Sequence, residues 1–223
     1  MKISERAIVK VSVCGIFAEP TFKSEMVNQA LKSESVQIIS KKDNWYQVCL
    51  DNDGYEGWIH EMYFNDSSNL NKSFTQSMFL NFPVIQIVFQ MIGKPYVWGG
   101  RSSHGYDCSG LIQTAMNMLG VDFPRDAKDQ VNSRLLHEVK LQESLESDIV
   151  FFEENKMVSH VGVLISAAES ILNNTEFRFF MIHSSGMVKI SEVKLDSSLL
   201  ASIDGKYDEK LKLHKIMRFK DDV

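Results

Sequence analysis

A cysteine at the head of an amphipathic run constrains this chain more than any other feature. In Tyr106-Asp107-Cys108-Ser109-Gly110 it stands just before Leu111, Ile112, Ala115, Met116 and Leu119, whose three-to-four spacing marks one apolar helical face. Gly120 suits the position after such a helix, and Asp107 and Ser109 are residue types that cap a helix start. In the first turn a cysteine meets unpaired backbone N–H groups and the positive end of the helix dipole, which favour thiolate over thiol. Taken alone, a cysteine is more often a small buried hydrophobe. Its place between Asp and Ser, with Gly next, is poorly explained by packing. Upstream, Lys94-Pro95-Tyr96-Val97-Trp98-Gly99-Gly100 reads as an extended segment ending in a glycine turn, which brings aromatic side chains up to the cysteine.

The 223 residues, 44% of them hydrophobic, suffice for one large domain or two smaller ones. Twenty-four basic residues against 29 acidic ones give a net charge of -5 with no basic stripe, which argues against nucleic acid or an anionic membrane surface as partner. Cys14, Cys49 and Cys108 are too few and too scattered for a disulfide framework or a paired metal knuckle, although a Cys14–Cys49 bridge stays open. Met1 to Arg6 lacks the apolar stretch and small-residue cleavage site of a secretory signal, and no run approaches the roughly 18 apolar residues of a membrane span. The expectation is a cytoplasmic protein, with export by another route left open. Oligomeric state is not legible.

Taken in order, residues 1–65 read as short strands with turns between them. Val9, Val11 and Val13 alternate with polar or small residues, Val36 to Ile39 and Tyr46 to Leu50 are strand candidates, and Asp51-Asn52-Asp53-Gly54 is turn chemistry before Tyr55 to Ile59. That spacing predicts a small β-barrel. Residues 66–80 form the linker, and residues 81–223 the second domain. There, a helix starts near Pro83 and ends by Gly93, and another runs from a cap at Asp126 to Leu136. Strands follow at Ser147 to Phe152, His160 to Ile165, Arg178 to His183 and Met187 to Ile190. Helices first and an antiparallel sheet afterwards define an α+β domain.

A thiol hydrolase needs a base for the thiol proton and a third group to orient the base. Of six histidines, His160 opens an apolar strand and His183 closes the strand that follows it. If the two strands are antiparallel neighbours, both imidazoles reach the same rim. His60, His104, His137 and His214 fall in loops or terminal segments and read as ordinary surface residues.

Two resemblances emerge from these residues. Ala18-Glu19-Pro20, Asn44-Trp45-Tyr46-Gln47-Val48 and Asp53-Gly54-Tyr55-Glu56-Gly57-Trp58-Ile59 are similar to a bacterial SH3-like domain. Gly93 to Gly100, Tyr106 to Gly110, Asp148 to Phe152, Ser159-His160-Val161-Gly162 and Met181-Ile182-His183 resemble the NlpC-type papain-like cysteine peptidases of bacterial cell-wall metabolism. The likeness covers roughly Pro83 to Ile190. It implies hydrolysis of the bond between γ-D-glutamate and a diamino acid, lysine or diaminopimelate, in peptidoglycan-derived peptides. Cys108 would be the nucleophile, His160 the base and His183 its orienter. The Cys108 backbone N–H, with Tyr96 nearby, would hold the oxyanion, a donor typically worth about 100- to 1000-fold in rate. No metal or cofactor is required.

An SH3-like domain ahead of such a peptidase resembles the subgroup that trims free muropeptides in recycling and requires a free N-terminal L-alanine. By motif position Glu19, and more weakly Tyr55, would help bind that amine, with Asp107 and Ser109 completing the pocket. Three departures stand out. The 23 positions from His160 to His183 exceed the usual hairpin, the excess lying around Ala167 to Phe177, as a lid, an edge extension or an oligomer contact. Ser147 stands where the family usually has glycine, and Asp126 where a small hydroxyl residue is common. Other readings are a peptidase of intact cell wall, a peptide-binding module with an idle thiol, and a zinc site built on Cys108, His160 and His183.

Overall fold

A computed structural model describes residues 5–51, 54–64, 81–171 and 176–220; the linker read at 66–80 lies outside them. The N-terminal strands are β1 (Arg6–Ile8), β2 (Val13–Phe17), β3 (Met26–Leu31), β4 (Ser35–Lys42), β5 (Trp45–Leu50) and β6 (Glu56–His60). They form one antiparallel sheet in the order β1-β4-β5-β6-β2-β3. Alternation puts Val36, Val48, Leu50 and Ile59 on the inner face, where they meet Cys14, Ile16 and Tyr63 in a common core. Bulges at Ile38/Ser40 and Ile16/Phe17 bend the sheet around that core. Among the described residues the path is open, with β1 and β3 as its two ends, so the barrel expected from the strand spacing is a curled sheet. Val9 and Val11 are buried as expected, but they lie in the connection between β1 and β2.

Cys14 and Cys49 are free thiols. The topology explains why the open bridge does not form. Strand β6 lies between β2 and β5, placing the two backbones about 9.5 Å apart, beyond the roughly 7 Å a disulfide can span.

The second unit begins with a helix at Pro83–Gln90, with proline at its first position and Phe82 at its cap. The short pair β7 (Arg101–Ser102) and β8 (Gly105–Tyr106) then leads into a helix at Cys108–Met118. Gly120, at φ +81°, takes the left-handed turn after that helix, as its position predicts. The helix expected from Asp126 to Leu136 is a single turn, Ala127–Gln130. Tertiary contacts override the local pattern here. Gln130 is fully buried and its amide nitrogen donates to the carbonyls of Ser109 and Pro124, while Leu136 already belongs to β9 (Leu136–Val139).

The remaining strands are β10 (Ile149–Glu154), β11 (Met157–Leu164), β12 (Glu169–Ile171), β13 (Glu176–Ser185), β14 (Met187–Leu195), β15 (Leu200–Ile203) and β16 (Lys206–Phe219). The pairing runs β10-β11-β13-β14-β15-β16-β9, and β16 also pairs with β10, so the strands close on themselves. Both faces of this sheet are covered. Ile149 and Phe151 face the helices, while Val150 and Phe152 point into a separate core with Leu164, Phe179 and Met181. A two-sided burial explains why Ile149 to Phe152 reads as an unbroken apolar run. Of the residues in excess between His160 and His183, Glu169–Ile171 form β12, which pairs with the start of β13 as an edge extension.

The two units touch through specific groups. The Tyr63 hydroxyl donates to the Gly186 carbonyl, Met187 joins the N-terminal core, and Phe22 packs against Tyr96 with ring centroids 5.8 Å apart. Gly186 sits at φ +74° in the β13–β14 turn, and a side chain there would run into Met62 and Phe22. This tight turn brings the N-terminal sheet up to the histidine-bearing strands.

Candidate active site

Cys108 is the first residue of its helix, and the Asp107 carboxylate caps the helix by accepting the Gly110 N–H at 2.7 Å. The same carboxylate fixes the loop in front of the helix. Its other oxygen accepts the Gly99 N–H at 2.9 Å, and the Asp107 N–H donates to the Gly100 carbonyl at 3.0 Å. Gly110 has no side chain because one would collide with the Gly100 carbonyl. Helix start and glycine turn are thus locked together, and this sets where Tyr96 and Trp98 stand relative to the cysteine.

Arg125, in the connection that follows the Cys108 helix, completes this arrangement. It grips both oxygens of Asp107 and also donates to the Ser109 hydroxyl at 2.9 Å. Bidentate guanidinium pairing of this kind is strong and directional. It also occupies Asp107, whose two oxygens are shared among Gly99, Gly110, Ser109 and Arg125. Asp107 therefore lines the cleft as a framework group with little capacity left for a ligand.

On the sheet side, His160 Nε2 and His183 Nδ1 lie 2.7 Å apart, with the rings nearly perpendicular at 84°. The antiparallel β11–β13 pairing predicted from sequence produces this contact, but His183 sits directly across from Gly162 rather than from His160. The bare backbone at Gly162 leaves the space into which the His160 ring, two residues along on the same face, leans. His183 is buried, and its Nε2 lies 2.8 Å from the Ser191 hydroxyl. Ser191 in turn donates to Asp204 at 2.9 Å, and Lys189 donates to the same carboxylate oxygen at 2.8 Å. Ser191, Lys189 and Asp204 carried no motif; alternation along β14 places the first two on the His183 face, but nothing local marks the third.

Burial pushes the Cys108 thiol up to about 11, and the Asp107 charge adds to this, against hydrogen bonds from the backbone N–H groups of Ser109, Val161 and Cys108 itself. The thiolate expected from helix position alone is overturned, because desolvation outweighs those N–H groups. Burial also lowers His160 to about 4, with the Lys189 charge adding to the effect. His183 is held well below its ordinary value, chiefly by burial, with the His160 and Lys189 charges adding to the effect. These shifts favour a thiol and neutral imidazoles at neutral pH. The Val161 N–H that reaches the sulfur belongs to the residue after His160, so the start of the helix packs against the histidine-bearing strand.

Cys108 opens into a cleft of about 510 Å³, lined on one side by Tyr96, Trp98, Gly99, Asp107 and Ser109, and on the other by Arg125 to Lys128, Val158 and Ser159. Trp98 is 67% exposed at its edge. Burial, reinforced by Cys108 and Asp107, raises the Tyr96 hydroxyl, which keeps it a proton donor. Glu19 and Tyr55 are not among the described residues lining this cleft. The loop after β2 turns Glu19 outward and its N–H takes the Ser24 hydroxyl as acceptor, while Tyr55 is exposed before β6. From the N-terminal sheet it is Lys23 that reaches the cleft. A second cavity of about 420 Å³, between the N-terminal sheet and the histidine pair, shares Lys23 and Ser159 with the first.

A helix that presents cysteine at its start, packed on an antiparallel barrel that supplies paired histidines, is the papain-like fold. Residues 93–201 match the NlpC/P60 family, and residues 16–62 match the bacterial dipeptidyl-peptidase SH3 domain. The chain therefore carries an NlpC/P60 domain preceded by a bacterial SH3 domain. Among curated relatives, the bifunctional muramidase/DL-endopeptidase CwlT of Bacillus subtilis is 31% identical over 52% of this chain and 36% of its own length. The gamma-D-glutamyl-L-lysine dipeptidyl-peptidase of Bacillus subtilis is 35% identical over 40% of this chain and 30% of its own. The probable endopeptidase YafL of Escherichia coli is 27% identical over 64% of this chain and 57% of its own. The chain thus spans about a third of the length of the first two.

Proposed function

We propose that this protein is a cysteine peptidase that hydrolyses the γ-D-glutamyl to L-diamino-acid bond of short peptidoglycan-derived peptides. The observation that carries the reading is the Cys108 thiol at a helix start under the N–H of Val161, the residue that follows His160 of the His160–His183 pair. A neutral thiol needs a base, and a neutral imidazole provides one.

With Nε2 engaged by His183, His160 offers Nδ1 to the thiol. The proton moves to Nδ1 as sulfur attacks the γ-carbonyl carbon of the D-glutamyl residue. The resulting oxyanion is met by the Cys108 backbone N–H and the Tyr96 hydroxyl, both fixed before substrate arrives. Collapse breaks the C–N bond, and His160 returns its proton to the departing amine of the diamino acid. Water, deprotonated by His160, then attacks the thioester, and the released sulfur regains its proton. His183 orients the imidazole throughout and stabilises its transient charge.

The substrate assignment draws on the similarity to the gamma-D-glutamyl-L-lysine dipeptidyl-peptidase and on the dipeptidyl-peptidase type of the N-terminal domain. The recycling role, acting on free peptides with an N-terminal L-alanine in the cytoplasm, draws on the dipeptidyl-peptidase type of the N-terminal domain, whose Lys23 lines the cleft. Product mass spectrometry on L-Ala-γ-D-Glu-diaminopimelate, its lysine counterpart and their N-acetylated forms tests both levels. Release of L-Ala-γ-D-Glu from the free peptides alone is expected. Equal cleavage of blocked peptides would move the role to wall stems, and no cleavage of any would remove the peptidase assignment.

A further inference from the structure

Beyond the cysteine and two histidines, the polar chain Asp204–Ser191–His183–His160 sets the proton positions on both imidazoles. We infer that Ser191 and Asp204 are positioning residues that hold the His160 proton on Nε2 and so leave Nδ1 open as the base; this rests on Cys108 and His160 being the reacting pair.

The hydrogens available along this chain fix both tautomers. Asp204, facing the Lys189 ammonium, only accepts, so the single Ser191 hydroxyl hydrogen goes to its Oδ2 at 2.9 Å. Ser191 Oγ can then only accept at the 2.8 Å contact to His183 Nε2, which places the His183 proton there. A neutral His183 has no second hydrogen, so its Nδ1 accepts across the 2.7 Å contact from His160 Nε2–H. A neutral His160 is left with a lone pair on Nδ1. Reversing any one link reverses the one after it.

The chain's far end is built into the backbone. Asp204 sits at φ +53° and Gly205 at φ +77°, in the tip of the β15–β16 hairpin, a turn that places an aspartate readily. That tip is tied to β14 on both sides of the carboxylate. The Asp204 N–H donates to the Glu192 carbonyl at 2.9 Å, and the Glu192 N–H donates to Asp204 Oδ1 at 3.2 Å. The groups facing His183 are His160 from β11, Lys189 and Ser191 from β14, and, through Ser191, Asp204. Lys189 opposes a second proton on either imidazole, and Asp204 fixes where the first one sits.

The test combines imidazole ¹⁵N–¹H correlation spectra with steady-state kinetics on Ser191→Ala, Ser191→Thr and Asp204→Asn, each checked for an unchanged fold by thermal unfolding. At pH 7.5 the wild-type spectra are expected to show both histidines as Nε2–H tautomers. Ser191→Ala should lose that pattern and about 10- to 100-fold in kcat with KM little changed, as is typical when an orienting partner is removed. Threonine should restore both. Asp204→Asn puts a donor where Oδ2 stood, which turns the Ser191 hydroxyl toward His183 and is expected to produce the Nδ1–H form of His160. A wild-type spectrum with His160 as Nδ1–H, or an alanine variant with unchanged tautomers and unchanged kcat, would overturn the inference. The spectra need no substrate, so a failure of the proposed peptide to turn over would count against the substrate reading and not against this one.

Discussion

Gly162 lies directly across the β11–β13 pair from His183, and a Cβ at position 162 would stand 3.2 Å from that of the histidine. It would also crowd Met181 Sδ at 2.9 Å, so the addition presses on the orienting imidazole from the side. Gly162→Ala is expected to displace the His160–His183 contact and lower kcat about 10- to 100-fold, a cost typical of misplaced catalytic groups. Overpacking should cost about 1–3 kcal/mol of stability. Kinetics beside urea unfolding separate the two effects.

Arg125 holds Asp107 and Ser109 together, and lysine cannot reproduce its fork. Arg125→Lys is expected to lose about 1.5–3 kcal/mol of stability, the range for hydrogen bonds to a charged group. Because Asp107 also holds the Gly99 N–H, the glycine turn loosens and kcat/KM falls with it. Full activity in a destabilised variant would show that the clamp serves the fold alone.

The titrations have definite signs. Both imidazoles are held below the ordinary value of about 6.5, His160 at about 4. Between those limits the unfolded chain binds protons that the folded one does not, so stability present above pH 6.5 is lost progressively as pH falls toward 4. Urea midpoints should drop across that window, and His160→Gln should flatten the slope. At the other end, a Cys108 thiol at about 11 predicts alkylation by iodoacetamide that is slow at pH 7 and accelerates up to pH 11. A plateau reached below pH 8 would contradict the raised thiol.

Ser147 occupies φ +78°, a left-handed conformation that costs a residue with Cβ about 1–2 kcal/mol. This accounts for the glycine that the family resemblance leads one to expect there. Ser147→Gly is expected to raise stability by about 0.5–1 kcal/mol, after the entropy that glycine returns to the unfolded chain. Asp148, next to it, is buried and paired with Arg218, so the turn has little room to relax otherwise.

What the sequence discloses is set by the range of the forces involved. The Cys108 helix, its Asp107 cap and the Gly120 exit are local, and they read correctly from spacing and residue type. The adjacency of His160 and His183 follows from antiparallel pairing and is likewise legible. The protonation state of Cys108 is not, because burial is a property of the assembled fold and outweighs the helix start. Arg125 and Asp204 escaped notice for the same reason: each reaches its partner across the chain, Arg125 over 18 positions and Asp204 over 13, with no periodicity to mark it. Lys23 and Glu19 show how little motif position says about a loop. Four residues apart, one reaches the cleft and the other faces solvent.

The most direct test of the central claim is turnover of L-Ala-γ-D-Glu-diaminopimelate by wild-type protein and by Cys108→Ala, compared at equal folded concentration. The account predicts release of L-Ala-γ-D-Glu by the wild type and none by the variant, with thermal unfolding of the two nearly alike. Product formation by Cys108→Ala at the wild-type rate would contradict it.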